Sequence, residues 1–317
     1  MTKYIIKRFL IAIPVFLGIT VLVYFMSSMT SGSPAKMILQ GPNTTAEDIA
    51  ELEERLGLDQ PVYIQYARWA GEMFRGNLGM SYRTNRPVTD MIAERIGPTL
   101  VLTLTSLAIS LLISIPLGTL AAYKPYTGWD YVSSGFAFFG AAMPAFFAAL
   151  VFIYIFCVQL HWLPTGGMYD SGGAHTLGAL LRHLILPAVT LAISQMGSYI
   201  RQVRSSVLEV LNEDYVRTAR SKGLGERAVV FVHAMRNALI PVVTQVGMSV
   251  PFLVGGAVVT EQIFGWPGLG SLMVQSIGYR DYPTIMGITT VIALAVLVCN
   301  LLVDIIYGLL DPRIRLK

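Results

Sequence analysis

Charged residues are scarce in this 317-residue chain: they make up 13% of it, whereas about 25% is usual in a soluble globular protein. Hydrophobic residues account for 54%, above the usual range of roughly 45–50%. This apolar surplus must face something other than water, and lipid is its natural partner. The formal net charge of +4 is small and scattered among apolar segments, which argues against nucleic acid as a partner.

Cysteine and the common catalytic motifs are also scarce or absent. Cys157 and Cys299 both lie in apolar runs without metal-ligand spacing, so they are interpreted as packing residues. No G-x-x-x-x-G-K-[ST], H-E-x-x-H or G-x-S-x-G run occurs, which argues against ATP binding by the common route, against a cofactor on this chain and against a membrane enzyme. The histidines are dispersed along the chain, at His161, His175, His183 and His233.

The apolar residues that are present fall into runs of about 20, the length that a helix needs to cross a bilayer. The predicted fold class is all-α and integral to the membrane, with six transmembrane helices. The first is expected to be retained, because no small-residue cleavage site follows it. Met143-Pro144 predicts a kink in the third. The apolar segments are 9–29, 99–123, 133–160, 184–203, 240–260 and 284–310.

The distribution of basic residues predicts orientation, since Lys and Arg near helix ends stay on the cytoplasmic side. With the amino terminus inside, the inner segments carry fourteen Lys and Arg residues, whereas the two short outer loops carry only Arg182 and Arg280. Both termini are therefore predicted to be cytoplasmic. The predicted organisation is an amino terminus with the first helix (1–30), an outer helical loop (31–98), a five-helix core that includes the cytoplasmic loop 201–240 (99–310), and a cytoplasmic tail (311–317).

The outer loop carries helix signals of its own. Thr44 and Thr45 precede Glu47 and Asp48 in a capping-box pattern, and Gly57 can end the helix that follows. A second helix is expected from Pro61 to Gly76, and a third from about Pro87 to Gly97-Pro98. The loop can serve as a cap that packs on the helix bundle or as a docking surface for an external partner, and the two interpretations are compatible.

The inner loop 201–240 is long and polar, with signals for two short helices. Asn212 and Asp214 can cap a helix that runs to about Lys222, Gly223 and Gly225 break it, and Glu226 opens a second helix that ends near Arg236. Composition alone fits a basic amphipathic element on anionic lipid. The geometry of two helices joined by a glycine elbow favours a protein partner, because such a unit can transmit a push to the bundle.

These residues carry a family resemblance. The run DYVRTARSKG (214–223), followed by HAMRNALIP (233–241), resembles the EAA loop of permeases in binding-protein-dependent ABC importers, in the form of the peptide and nickel branch. It departs from the sugar-importer form at Arg217 and Thr218 and matches that form at Ala219 and Gly223. Two further runs, GNLGMSYR (76–83) and EQIFGWPGLG (261–270) with RDYP (280–283), resemble the oligopeptide permease subfamily.

The resemblance implies a type I ABC importer permease in a bacterial cytoplasmic membrane. Its implied partners are a second homologous permease, two ATPase subunits that bind ATP and Mg, an extracytoplasmic solute-binding protein and a peptide substrate, with nickel chelates or glutathione as alternatives. The implied mechanism is alternating access without chemistry on this chain. The residues implied to dock to the ATPase are Tyr215, Arg217, Thr218, Ala219, Lys222, Gly223, Leu224, Gly225, Glu226, His233 and Arg236.

Two questions stay open on the sequence. A secondary transporter or channel subunit is the alternative function, disfavoured by the basic inner loop and by the lack of mid-membrane acids and of an inverted repeat. For the translocation path, Gln195, Thr244 and Gln245 can line a hydrated route or only bond between helices. Glu261 can be a functional acid or an interfacial one in contact with water or Arg280.

Overall fold

The computed structural model describes residues 2–29, 33–39, 44–170 and 172–310, and helices dominate these ranges. The cytoplasmic tail predicted for 311–317 lies outside them. The helices are α1 Thr2–Ser28, α2 Pro34–Ile38, α3 Ala46–Leu56, α4 Val62–Phe74, α5 Val88–Tyr123, α6 Gly128–Ala142, α7 Ala145–Phe152 with a π-helical continuation Ile153–Gln159, α8 Leu177–Leu211, α9 Asp214–Ser221, α10 Glu226–Ala228 with a π-helical continuation Val229–Ala234, α11 Met235–Ile263, α12 Leu269–Gly278 and α13 Tyr282–Leu310.

The prediction of six membrane spans is confirmed when one bent pair of helices counts as a single span. Five helices are long and apolar enough to cross a bilayer by themselves, and α6 with the α7 segment passes the same test as a pair bent by 101°. The bend falls at the predicted Met143-Pro144 kink. Met143 is extended (φ −78°, ψ 121°) because the residue before a proline is pushed out of helical space.

The third helix predicted for the outer loop is wrong as a separate element. Helix α5 starts at Val88 and continues without a break through Gly97-Pro98 to Tyr123, so the loop helix and the second span are one 36-residue helix. Its first turns are buried: Val88, Met91 and Ile92 pack against residues of α12 and α13. This apolar packing outweighs the local helix-breaking tendency of the Gly-Pro pair.

The chain divides into two compact units, of which the first comprises 1–99 and 267–302. In this unit the predicted capping box is present: the Thr45 hydroxyl accepts from the Asp48 amide, the Asp48 carboxylate accepts from the Thr45 amide, and Gly57 ends α3 at φ 68°. Helix α4 begins directly after Pro61 and packs on α1, where the hydroxyls of Thr20 and Tyr66 are 3.0 Å apart. The packing interpretation of the predicted outer loop therefore holds for α4.

Asp281 joins two distant runs within the first unit. Its carboxylate accepts hydrogen bonds from the Ser81 hydroxyl (2.6 Å), the Tyr82 amide (2.9 Å) and the Thr284 hydroxyl (2.7 Å), and it is buried. Thus the runs 76–83 and 280–283, which the sequence singled out separately, meet in one polar network. Such a network stabilises the unit, because each buried oxygen is satisfied by donors.

The second unit comprises 100–266 and 303–317, with α8 at its centre. Small residues allow neighbouring helices to approach α8 closely. A Cβ atom on Gly197 would lie 2.2 Å from the carbonyl oxygen of Ala137 in α6, and one on Gly118 of α5 would lie 2.8 Å from the carbonyl oxygen of Ile200. Small residues at helix contacts are typical of membrane helices, whose association depends on close packing.

Candidate functional site

The candidate site is the 212–236 hairpin, which connects α8 to α11. Helix α8 runs to Leu211, Asn212 and Glu213 follow, α9 occupies Asp214–Ser221, and Lys222 to Gly225 form an elbow. The second arm differs from the prediction: the helix that starts at Glu226 does not end near Arg236 but continues through the π-helical turns into α11. The hairpin is therefore one short helix folded back against the start of a long one.

A small apolar core holds the two arms together. Val216 and Ala219 of α9 are buried against Val229 of the second arm, with Val210 and Leu211 partly buried beside them. Ala219 is only 7% exposed, so it acts by packing the hairpin and is not available as a surface contact. The other ten residues predicted to dock are exposed.

Gly223 makes the elbow. Its φ of 79° lies in the left-handed region, its amide donates to the Arg220 carbonyl (2.9 Å), and the next amide, of Leu224, donates to the Ala219 carbonyl (3.4 Å). Glycine enters this region without the Cβ penalty that other residues pay. The glycine predicted to turn the chain is confirmed in that conformation.

An ion pair closes the elbow from one arm to the other. The Arg220 guanidinium donates to both oxygens of Glu226, with Nη2 at 2.7 Å from Oε1 and Nε at 3.1 Å from Oε2. The hydrogen bonds to Glu226 raise the pKa of Arg220, so this cation stays charged. The bidentate geometry restrains the angle between the arms. Glu226 is among the predicted docking residues and Arg220 is not; the spacing of the two charges across Gly223 and Gly225 is the sequence signal for this pairing.

The outer surface of the hairpin combines exposed apolar side chains with exposed cations, of which Arg217 lies 3.6 Å from the Asp214 carboxylate. Tyr215, Leu224, Phe231 and Val232 are between 41% and 64% exposed. Phe231 and Val232 were not among the predicted docking residues. They lie in the π-helical turns Val229–Ala234, which shift side-chain directions from those of an α-helix. Exposed apolar groups beside cations are typical of protein contact sites. The cations on the hairpin surface are Arg217, Lys222, Arg227 and Arg236.

The base of the hairpin is anchored in the second unit. Val203 and Val207 of α8 pack with Met235, Ala238 and Val242 of α11 in one buried cluster. Across the base, Nδ2 of Asn237 donates to the Tyr215 hydroxyl at 2.8 Å. A displacement of the hairpin would therefore be passed to the ends of α8 and α11.

A second ion pair, which the sequence analysis missed, ties α6 to the same end of α8. Arg204 donates to both oxygens of Asp130 (Nε–Oδ1 2.7 Å, Nη2–Oδ2 2.9 Å), and the Tyr126 amide donates to Oδ2. Asp130 is buried. The residues lie 74 positions apart, so only the pairing of the helices could reveal the contact.

Among the predicted path residues, Gln195 lies on α8 and Gln245 bonds to Ser198, one turn further along the same helix. Gln195 is 7% exposed and accepts from the Tyr199 hydroxyl, whereas its amide nitrogen has no partner in the described part of the chain. Gln245 donates to the Ser198 hydroxyl (2.5 Å), and Thr244 donates to the Ile240 carbonyl within its own helix. Glu261 is fully buried, which excludes contact with bulk water.

Metal ligands do not cluster in the described residues, where no group of three or more His, Cys, Asp or Glu side chains could hold an ion. The hairpin is built from an apolar core, ion pairs and one left-handed glycine.

Comparisons with known proteins agree with this geometry. Residues 114–316 match the family model described as "Binding-protein-dependent transport system inner membrane component", and residues 1–103 match the model for the amino-terminal region of such membrane components. The chain is 44% identical to the oligopeptide transport system permease protein AppB of Bacillus subtilis over 316 residues, covering 99% of this chain and 100% of AppB.

Two further similarities come from a curated relative and from a solved structure. The glutathione transport system permease protein GsiC of Escherichia coli K12 is 41% identical over 317 residues and 100% of both chains. An inward-facing structure of the MetNI methionine ABC transporter aligns with a TM-score of 0.57 at 17% identity, over 70% of this chain and 96% of the other. At that identity the structure shows a shared fold alone.

Proposed function

Because this chain belongs to the family of inner-membrane components of binding-protein-dependent transport systems, we propose that it is the permease subunit of a peptide importer, coupled to separate ATPase subunits through the 212–236 hairpin. Membership also disfavours a secondary transporter or channel subunit. The observation that carries the coupling proposal is the hairpin itself: a small unit with its own core, a glycine elbow and a bidentate ion pair.

The proposed partners follow from the family and from the surfaces of the chain. A second permease would complete the translocation path, two cytoplasmic ATPase subunits would bind ATP and Mg, and an extracytoplasmic protein would deliver the solute. The ATPase would grip the exposed face of the hairpin at Tyr215, Leu224 and Phe231, with the surrounding cations steering the approach.

The proposed orientation puts the hairpin and both termini in the cytoplasm of a bacterium, with the chain in its inner membrane. It rests on the excess of Lys and Arg in the 1–8 and 201–240 segments over the short outer loops.

The proposed substrate is a peptide. The relatives include oligopeptide and glutathione permeases and a dipeptide permease of Alkalihalophilus pseudofirmus, 38% identical over 333 residues. Glutathione is itself a tripeptide, so it stays within the same chemical class. These names favour peptides over nickel chelates as cargo.

In the proposed mechanism, closure of the ATPases pushes the hairpin as a rigid body. The base of the hairpin is packed tightly between α8 and α11, so the ends of these helices move with it. The residues of this packing are Val203, Val207, Met235 and Val242. The Asp130–Arg204 pair carries the same displacement to α6 and the bend at Met143-Pro144. The chain thus converts a push at one surface into a change of access, with no covalent step.

The experiment is to tag this chain in its host, purify the complex from membranes, and measure ATP hydrolysis and uptake of di-, tri- and pentapeptides in proteoliposomes. The proposal predicts that an ATPase co-purifies with this chain. It also predicts that peptide uptake requires ATP in the compartment that contains the hairpin. A variant with Tyr215→Ala and Leu224→Ala should lose the ATPase. Ser221→Ala, at an exposed position of α9 outside the apolar surface, should keep most of it. Uptake that continues without ATP, or a complex without ATPase activity, would contradict the proposal.

A further inference from the structure

A cavity of about 450 Å³ lies within the first unit, among α1, α3, α4, the 77–85 segment and the start of α13. This volume falls in the range of roughly 300–1,000 Å³ that holds small ligands in proteins. Four aromatic side chains line it: Tyr24, Trp69, Tyr82 and Tyr282. Aliphatic side chains, among them Ile38, Leu52 and Met286, complete an apolar wall.

Two cations line the same cavity without a matching acid. Arg55 and Arg68 form no salt bridge within the described ranges, and Arg68 lies against Gly57, whose added Cβ would be 2.6 Å from the Arg68 Nη1 atom. Glu72 also lines the cavity, but its carboxylate accepts from Arg75 (2.7 Å) and Asn77 (3.1 Å). The hydrogen bonds from Asn77 and Arg75 lower the pKa of Glu72, so its carboxylate is ionised and already has partners outside the cavity ligand.

The cavity lies where two membrane spans end. Tyr24 is near the last turn of the span Ile6–Ser28, and Tyr282 is the first residue of the span Tyr282–Val303. Both ends contribute to one cavity, so the cavity is expected at the level where these two spans reach the membrane surface. Tyrosine and tryptophan are enriched at this boundary in membrane proteins, because their rings have an apolar body and a polar edge.

We propose that this cavity binds the phosphate of an anionic phospholipid, with Arg55 and Arg68 on the phosphate and the acyl chains leaving along the apolar wall into the bilayer. Guanidinium groups bind phosphate through paired charge-assisted hydrogen bonds. A peptide fits less well, since its amino group would need an acid and the carboxylate of Glu72 is occupied. The site does not depend on what the chain transports.

The test is native mass spectrometry of the purified complex, after delipidation and titration with phosphatidylglycerol or phosphatidylcholine. The wild type should retain one phosphatidylglycerol more than a variant with Arg55→Ala and Arg68→Ala, whose apparent affinity should fall roughly tenfold, as expected for two lost charge-assisted contacts. Lys36→Ala is the matched control, because Lys36 is an exposed cation of α2 in the same unit and does not line the cavity. Arg68→Lys keeps the charge but loses the paired hydrogen bonds, so its affinity should lie between those of the wild type and the double variant.

Several outcomes would overturn the assignment. Equal loss of binding in Lys36→Ala would show that general surface charge attracts the lipid. Equal binding of phosphatidylcholine would show that the cavity does not select an anionic headgroup. Displacement of the bound lipid by millimolar inorganic phosphate would make free phosphate the ligand, and displacement by a tripeptide would make the cavity a peptide site. Thermal unfolding of each variant checks that its fold persists. Where the double variant unfolds, Arg68→Gln replaces it, because glutamine removes the charge and keeps much of the side-chain length.

Discussion

Replacing Gly223 by alanine isolates the backbone geometry of the elbow from every other property of the hairpin. No atom lies within 4 Å of the position that a Cβ would take, so the change creates no clash. The remaining effect is backbone strain: a φ of 79° raises the conformational energy of a residue with a side chain by about 1–2 kcal/mol. That cost lowers the population of the native elbow by roughly 5- to 30-fold relative to competing turns.

Gly225 supplies the matched control two residues away. It is exposed and has equally open space around a Cβ, but its φ of −61° is accessible to any residue. Gly225→Ala should therefore be close to neutral. Gly223→Asn should be milder than Gly223→Ala, since asparagine tolerates the left-handed region, and Gly223→Val should be the most severe because its side chain is β-branched.

The assay compares peptide uptake with ATP hydrolysis in the reconstituted complex, alongside the amount of ATPase subunit that co-purifies. Membrane insertion should be normal in all four variants, because the apolar spans are untouched. Uptake per ATP hydrolysed should fall in the order Gly225→Ala, Gly223→Asn, Gly223→Ala, Gly223→Val. Equal coupling ratios for Gly223→Val and Gly225→Ala would refute the role of the elbow.

Two further predictions follow from the helix packing and from the orientation. Gly197→Ala should destabilise the folded chain by about 1–3 kcal/mol, because the new Cβ would lie 2.2 Å from the Ala137 carbonyl oxygen and would push α6 away from α8. Thermal unfolding in detergent measures this loss. Gly135→Ala is the control, because Gly135 of α6 has open space around its Cβ position. The orientation is tested in a background with Cys157→Ala and Cys299→Ala. A thiol introduced by Ser221→Cys should react with an impermeant reagent only after the membrane is opened, whereas one introduced by His175→Cys should react on intact cells. Labelling of the Ser221→Cys variant on intact cells would reverse the topology.

The sequence alone determined the features that depend on neighbours within a turn or two of chain. The apolar runs predicted the spans, since crossing a bilayer depends on length and hydrophobicity. The capping box at Thr45 and the left-handed Gly223 were predictable for the same reason: each is a local backbone requirement. The bend at Met143-Pro144 follows from proline chemistry.

Only the tertiary structure decided where helices continue and which distant groups pair. Helix α5 passes through Gly97-Pro98 because its first turns are buried against α12 and α13, a contact with residues more than 170 positions away. The Asp130–Arg204 pair and the Asp281 network likewise join residues 74 and 200 positions apart. A helix-interior proline costs about 3 kcal/mol and a glycine about 1 kcal/mol. Burial of a large apolar side chain contributes about 1.5–3 kcal/mol, and three such side chains, Val88, Met91 and Ile92, are buried in α5, so packing prevails there.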